Sequence, residues 1–342
     1  MKRAMIHIGS GKTGTTSIQN SAALMEKESG CADLTYPLVT KNGHQSLEVL
    51  FKEYERVSRG LKSKFDNDNS YRLFKKDFEG SFNHSLISAA NVFLSSEFMF
   101  EFKGDEVLRL REYLEDRGFK SFLIVLYLRE PASFYLSYTQ QKLKGSSKIY
   151  SPFDFETGYK KRVKRWVSAF GKENIVVKEY DKSKLYGGSV LKDIERLVNQ
   201  YFDTSVSFPD VSSNKSLTAE GMAILQRFRS DYLKEYENRF TVESNLLIRR
   251  LSGKVLAGLG SSPRLKKKYE SLLRHNNNAD MSYLKKEFSV FKDFKEEGGV
   301  FFNQNDFSGN IADLLEDFDN DIYLRLLFDL VYEGVKAEKG GK

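Results

Sequence analysis

Short apolar runs alternate with longer amphipathic segments along the first two hundred or so residues of the chain. AMIHI at 4–8, closed by glycine, predicts a short buried strand. TTSIQNSAALMEK then predicts a helix, because Ile18, Ala22, Leu24 and Met25 follow helical spacing. Residues 47–80 read as charged helix with a break at the acidic, asparagine-rich DNDN of 66–69. NVFLSS (91–96) predicts a second strand, and DEVLRLREYLEDRG (105–118) an amphipathic helix with a glycine stop. SFLIVLYLRE (121–130) is apolar nearly throughout, the pattern of a central parallel strand covered on both faces. Pro131 opens a new segment, and SFYLSYTQQKL (133–143) predicts a helix. A further amphipathic helix (158–170) carries the only tryptophan, Trp166. NIVVKEY (174–180) predicts the fourth strand and VLKDIERLVNQYF (190–202) the helix after it. This alternation predicts an α/β fold, a three-layer arrangement with a parallel sheet flanked by helices.

The pattern changes beyond Ser213, where no strand is predicted. TAEGMAILQRFRSDYLKEY and DLLEDFDNDIYLRLLFDLVYEGV predict helices, with a charged, glycine- and asparagine-containing region (252–310) between them. No proline- or serine-rich linker and no internal repeat interrupts the chain. The expectation is a single domain over 1–342, with an α/β core at 1–215 and a helical C-terminal extension at 216–342.

Composition narrows the classes. The 54 basic residues exceed the 47 acidic ones by 54 − 47 = 7, which suits an anionic ligand. The lysines are spread along the chain and matched by acids, so no nucleic-acid surface is expected. The single cysteine, Cys31, allows no intramolecular disulfide and fits a reducing compartment. The four histidines, His7, His44, His84 and His275, lack metal-ligand spacing, so no metal site is expected. The longest apolar stretch, FLIVLYL at 122–128, is strand length rather than membrane-spanning length. The opening MKRAMIHIGSGK is too short in apolar residues for a signal peptide. A cytoplasmic protein is therefore expected.

The segment HIGSGKTGTTSIQ holds the main chemical signal. A loop between a strand and a helix presents unpaired backbone N–H groups at the positive end of the helix dipole. Gly9, Gly11 and Gly14 let the backbone curl, Lys12 adds charge, and Thr13, Thr15, Thr16 and Ser17 add hydroxyls. Together these predict an anion cradle. A Walker A loop requires a glycine five residues before the glycine of its GK pair, and Ile6 stands there. No acidic strand end typical of a magnesium partner is evident, although Glu97 ends SSE at 95–97.

GKTGTTSIQ resembles the 5′-phosphosulfate loop of sulfotransferases, written PKxGTTxL/W, with Gly11 where proline often stands. The KTGTT core resembles that of carbohydrate sulfotransferases, bacterial members included. YLREPASFYLSY resembles the family's 3′-phosphate motif, with Arg129 at a strand end and Ser137 eight positions on. Arginine forks onto phosphate oxygens, which suits that role. The resemblance covers roughly the first two hundred residues. It implies a P-loop-like sulfotransferase core with 3′-phosphoadenosine 5′-phosphosulfate (PAPS) as co-substrate, PAP as product and no metal. It further implies that Gly11, Lys12, Thr13, Gly14, Thr15, Thr16 and Ser17 hold the 5′-phosphate, and Arg129 and Ser137 the 3′-phosphate. Asn214, Lys215 and Ser216 are placed on the 3′-phosphate and adenine, or else form a polar loop before a helix N-cap at Thr218.

Sulfuryl transfer, like phosphoryl transfer, builds charge on the leaving phosphate, which Lys12 is expected to neutralise. An acceptor hydroxyl needs a base. His44 is the preferred candidate because its ordinary pKa is suitable, and Glu97, at a strand end, is expected near the acceptor or as the base itself. His7, inside the first strand, reads as structural. The resemblance implies a carbohydrate or glycolipid acceptor, with peripheral membrane contact allowed. The alternative is a nucleoside triphosphatase or kinase using ATP or GTP with magnesium.

Overall fold

The computed structural model describes residues 1–29, 33–40, 43–210, 216–253, 256, 258–299, 307–316 and 318–340. In chain order its main elements are β1 Lys2–His7, α1 Thr15–Ser29, α2 Asp68–Ser88, β2 Asn91–Ser95, α3 Gly104–Glu115, β3 Phe119–Leu128 and α4 Pro131–Leu143. They continue with α5 Tyr159–Phe170, β4 Ile175–Glu179, α6 Val190–Phe202, α7 Ala219–Tyr232, α8 Val242–Leu251, α9 Lys267–Asn276, α10 Asn278–Phe288 and α11 Asn320–Gly340. Two compact units emerge. The first is Met1–Arg129, Gly158–Ser213 and Asp280–Lys292; the second is Glu130–Thr157, Asn214–Ala279 and Asp293–Lys342.

The first unit is α/β. Its four described strands form one parallel sheet in the order β2-β1-β3-β4. Strand side chains alternate between faces. Met5, Phe93, Val125 and Tyr127 point to one face, where they join Ile18, Ala22 and Met25 of α1 and Ile194 and Val198 of α6. Ala4, Ile6, Val92, Leu94, Ile124 and Leu126 point to the other face, and all are fully buried. On that side α3 packs on α5 and touches β3, and α5 touches β4. The continuous apolar run of β3 thus reflects helices on both faces of the sheet.

Three local features refine the expected boundaries. DNDN is the start of a helix rather than a break within one. The Asn67 side chain accepts from the Ser70 amide at 3.0 Å, the Ser70 hydroxyl accepts from the Asn67 amide at 3.3 Å, and this capping box opens α2. Ahead of α2 lie only short turns, such as Glu48–Phe51 and Arg59–Lys62. The stop after α3 falls as expected at Gly118, whose φ of +87° favours glycine.

The second unit is helical. Tyr135, Leu217, Met222, Leu225, Tyr269, Leu273, Ile311 and Leu326 are among its buried core side chains. Glu130 caps α4 by accepting from the Ser133 amide at 2.9 Å, with Pro131 in the first turn, where its missing N–H costs nothing. Buried Arg229 donates to the carbonyls of Gly145 (2.7 Å) and Tyr236 (2.8 Å), tying loop backbone to α7. The charged 252–310 region contains α9 and α10, and the last predicted helix is interrupted at Leu315, which forms a bridge to Leu265. Among the described residues no helix is long and apolar enough to cross a membrane.

Candidate functional site

The first unit places the glycine-rich loop between β1 and α1, at the C-terminal end of the sheet. The Ile18 amide donates to the Gly14 carbonyl at 3.1 Å, so Gly14 caps the start of α1. The amides of Thr15, Thr16 and Ser17 are therefore first-turn donors without acceptors inside the helix. Thr15 is buried, and its hydroxyl oxygen has no hydrogen-bond partner among the described residues.

Inside the loop, Thr13 Oγ1 donates to the Ser10 carbonyl at 2.6 Å, and Ser10 Oγ donates to the Tyr127 carbonyl at 3.3 Å. Lys12 adopts a positive φ of 67° and Gly14 one of 77°. A Cβ on Gly14 would lie 2.8 Å from Val190 and 3.3 Å from the Tyr180 ring, so the position requires glycine for both reasons. Gly11 is different. A Cβ there meets nothing within 4 Å, which agrees with proline standing at that place in the motif it resembles.

Arg129 ends β3 next to this loop. Its Nη1 approaches the Lys12 carbonyl at 3.4 Å, and its guanidinium lies 5.6 Å from the Tyr180 ring centre. Asp181 also feels it: hydrogen bonds from Ser183 and the charges of Lys184 and Arg129 lower the Asp181 carboxyl below its ordinary range. Two sequence motifs 117 residues apart thus meet at one loop. Tyr180 and Asp181 escaped the sequence reading; their only signal was their position at the end of a predicted strand.

Glu97 opens a 3₁₀ turn, Glu97–Glu101, directly after β2. Gln19, one turn into α1 from Thr15, donates from Nε2 to Glu97 Oε2 at 2.9 Å and to the Ser95 carbonyl at 3.3 Å. The side of α1 that follows the loop therefore holds the carboxylate. Gln19 was missed from sequence, although its helical offset of four from Thr15 puts both on one face.

His44 has a different setting from the one expected. It is 1% exposed; its Nδ1 accepts from the Ser95 amide at 2.9 Å, and its Nε2 lies 2.9 Å from the Pro37 carbonyl. Its own amide donates to the Ser95 carbonyl at 3.2 Å. An acceptor at Nδ1 requires the proton at Nε2, which donates to Pro37. Neither nitrogen is left to take a proton from a substrate. Burial lowers the pKa to about 4, against the opposing pull of the two backbone bonds. His44 clamps the backbone of Ser95, the residue that leads into Glu97.

His7, at the end of β1, lies on the other side of Ser95. Its Nδ1 is 2.8 Å from Ser95 Oγ, and burial lowers its pKa to about 3. Tyr36 packs its ring 4.5 Å from His44, and burial followed by the Glu97 charge raises its hydroxyl well above the ordinary tyrosine range.

Ser137 lies half-buried on α4 in the second unit, and Ser216 is exposed in that unit. Asn214 and Lys215 lie outside the described residues, as does Cys31. Among the described residues no cluster of three or more histidine, cysteine, aspartate or glutamate side chains could hold a metal.

No protein-family model matches the chain, and no curated protein matches it. Among solved structures it is similar to the crystal structure of a sulfotransferase from Alicyclobacillus acidocaldarius. The two share 14% identity over 70% of this chain and 98% of that one, with a TM-score of 0.37.

Proposed function

We propose that this protein is a sulfotransferase that moves a sulfuryl group from PAPS to a hydroxyl or amine of a carbohydrate acceptor, such as a polysaccharide or glycolipid. One observation carries the reading: Arg129 Nη1 lies 3.4 Å from the Lys12 carbonyl, which brings a second phosphate-type side chain to the phosphate-type loop. A triphosphate needs one such cradle; a nucleotide with phosphates at both its 3′ and 5′ positions needs two. The residues fit that ligand, because the orphaned Thr15 hydroxyl and the first-turn amides of α1 require an acceptor of the kind a phosphate oxygen supplies.

In this reading the loop amides with Thr15, Thr16 and Ser17 hold the 5′-phosphate, and Arg129 holds the 3′-phosphate. Ser137 keeps the 3′-phosphate role that the sequence motif gives it. When bound, PAPS supplies the sulfuryl group and a phosphate leaving group. Lys12 offsets the charge that grows on that phosphate as the sulfur–oxygen bond breaks. Glu97 takes over the role of base expected of His44. Its Oε2 is fixed by Gln19, and Oε1 is assigned to the acceptor proton as the new sulfur–oxygen bond forms. The carbohydrate class of acceptor rests on the resemblance of KTGTT to carbohydrate sulfotransferases.

Thermal unfolding with PAP, and separately with ATP and magnesium, tests the reading. PAP is expected to raise the midpoint with no need for magnesium. A midpoint unmoved by saturating PAP sinks the proposal, and a shift with ATP and magnesium alone replaces it with a kinase or nucleoside triphosphatase.

A further inference from the structure

His7 has a feature that a purely structural histidine lacks. It is fully buried, and its Nε2 has no hydrogen-bond partner among the described residues. The ring tip lies against the phosphate-type loop. A Cβ on Gly9 would sit 2.5 Å from Nε2 and 3.2 Å from Thr13 Oγ1, so the imidazole occupies the space that a side chain at 9 would fill.

The tautomer follows from counting donors. With the proton on Nδ1, the ring donates to Ser95 Oγ. The hydroxyl proton of fully buried Ser95 then lacks a hydrogen-bonded acceptor among the described residues, and Nε2 is a bare lone pair as well. With the proton on Nε2, the Ser95 hydroxyl donates to Nδ1 and a single group, Nε2–H, is left over. Since each buried polar group without a partner is costly, the second arrangement prevails.

The same short segment contains a second orphaned donor, Thr15 Oγ1. Buried groups without partners are rare in folded proteins and call for an explanation. An oxyanion seated at the start of α1 offers acceptors to both. We propose that His7, as the neutral Nε2–H tautomer, donates a hydrogen bond to the phosphate oxyanion held by the loop, alongside the Thr15 hydroxyl. Being neutral, His7 adds direction without charge, and Lys12 and Arg129 supply the charge. The inference rests on the proposed function only in that the loop holds an oxyanion.

Nitrogen-15 histidine spectra of the intact wild-type protein, titrated with PAP, test it. The His7 signals are expected to show the Nε2–H tautomer, and the Nε2 proton to move downfield as PAP saturates the protein. His7→Leu is expected to weaken PAP about tenfold, with His7→Gln, which keeps an N–H donor, retaining more of the affinity. If PAP binds while His7 shows the Nδ1–H tautomer or an unmoved Nε2 proton, the His7 inference falls and the sulfotransferase reading stands. If ATP with magnesium binds and PAP does not, that reading falls, and the Nε2 proton in the ATP complex decides for or against His7. If neither nucleotide binds, both fall. The wild-type spectra settle the matter even if the variants fail to fold.

Discussion

His44 and His7 stand on opposite sides of Ser95, and each has Nδ1 engaged by that one residue. Ser95 meets His44 through its backbone amide at 2.9 Å and His7 through its hydroxyl at 2.8 Å. The difference lies at the other nitrogen. His44 Nε2 finds the Pro37 carbonyl at 2.9 Å, whereas His7 Nε2 finds no partner among the described residues. His44 closes both its ring hydrogen bonds within the chain and behaves as scaffold, although the Tyr36 hydroxyl packed beside it has no partner among the described residues. The loop side leaves donors at His7 and Thr15 unmatched among the described residues, where the proposed oxyanion would sit. Residue type alone favours His44 as the chemical group, and hydrogen-bond satisfaction reverses that choice.

The comparison can be tested at several levels. The largest effect is expected at Glu97. Glu97→Gln should lower transfer from labelled PAPS to a glycan panel by about 10²–10⁴-fold, with PAP affinity retained. Loss of PAP binding in that variant would instead place Glu97 on the donor. Next, His44→Ala should cost about 3 kcal/mol in denaturant unfolding, through two lost hydrogen bonds and a cavity. The stabilisation that PAP confers should persist, and its disappearance would make the scaffold side part of the ligand site.

A similar magnitude is expected from acid. The folded pKa of His44, about 4, lies below the unfolded value of 6.5, so the unfolded chain binds the proton first. The His44 contribution is complete above about pH 6.5, falls as the pH drops, and is lost near pH 4 at a cost of about 3 kcal/mol. His7, lowered to about 3, extends the decline further into acid. Denaturant midpoints across this window should therefore fall with pH in the wild type and fall less steeply in His44→Ala, where only His7 still contributes; identical slopes would contradict the assignment. Arg129→Ala should weaken PAP about tenfold by calorimetry. Gly11→Ala should change stability by under roughly 0.5 kcal/mol, since its Cβ would enter open space and its φ is not positive.

Much of this was legible beforehand because it is written in local pattern. The apolar run of β3 fixes a strand buried on two faces, and Gly14 and Gly118 mark real turns with positive φ. KTGTT identifies the loop because its chemistry is contiguous. Three kinds of feature were not legible. The helices α9 and α10 lie in charged sequence whose composition masks the helical spacing of Tyr269, Leu272 and Leu273 and of Met281 and Leu284. DNDN carries turn and cap chemistry alike, and only the Ser70 partner tells them apart. The task of His44 depends on Ser95, which lies 51 positions away, and no local pattern reports the partners of a lone loop histidine.

α1 is also a ruler. On the proposed function Thr15 stands where the donor would be gripped, and Gln19, which grips Glu97, stands four residues further on, roughly 6 Å along the axis. On that reading the spacing between the group that gives and the group that takes is written into a rigid repeat rather than left to loops. A single inserted residue between the two would swing Gln19 by roughly 100° around the axis and unhook the carboxylate, even with every named side chain still present.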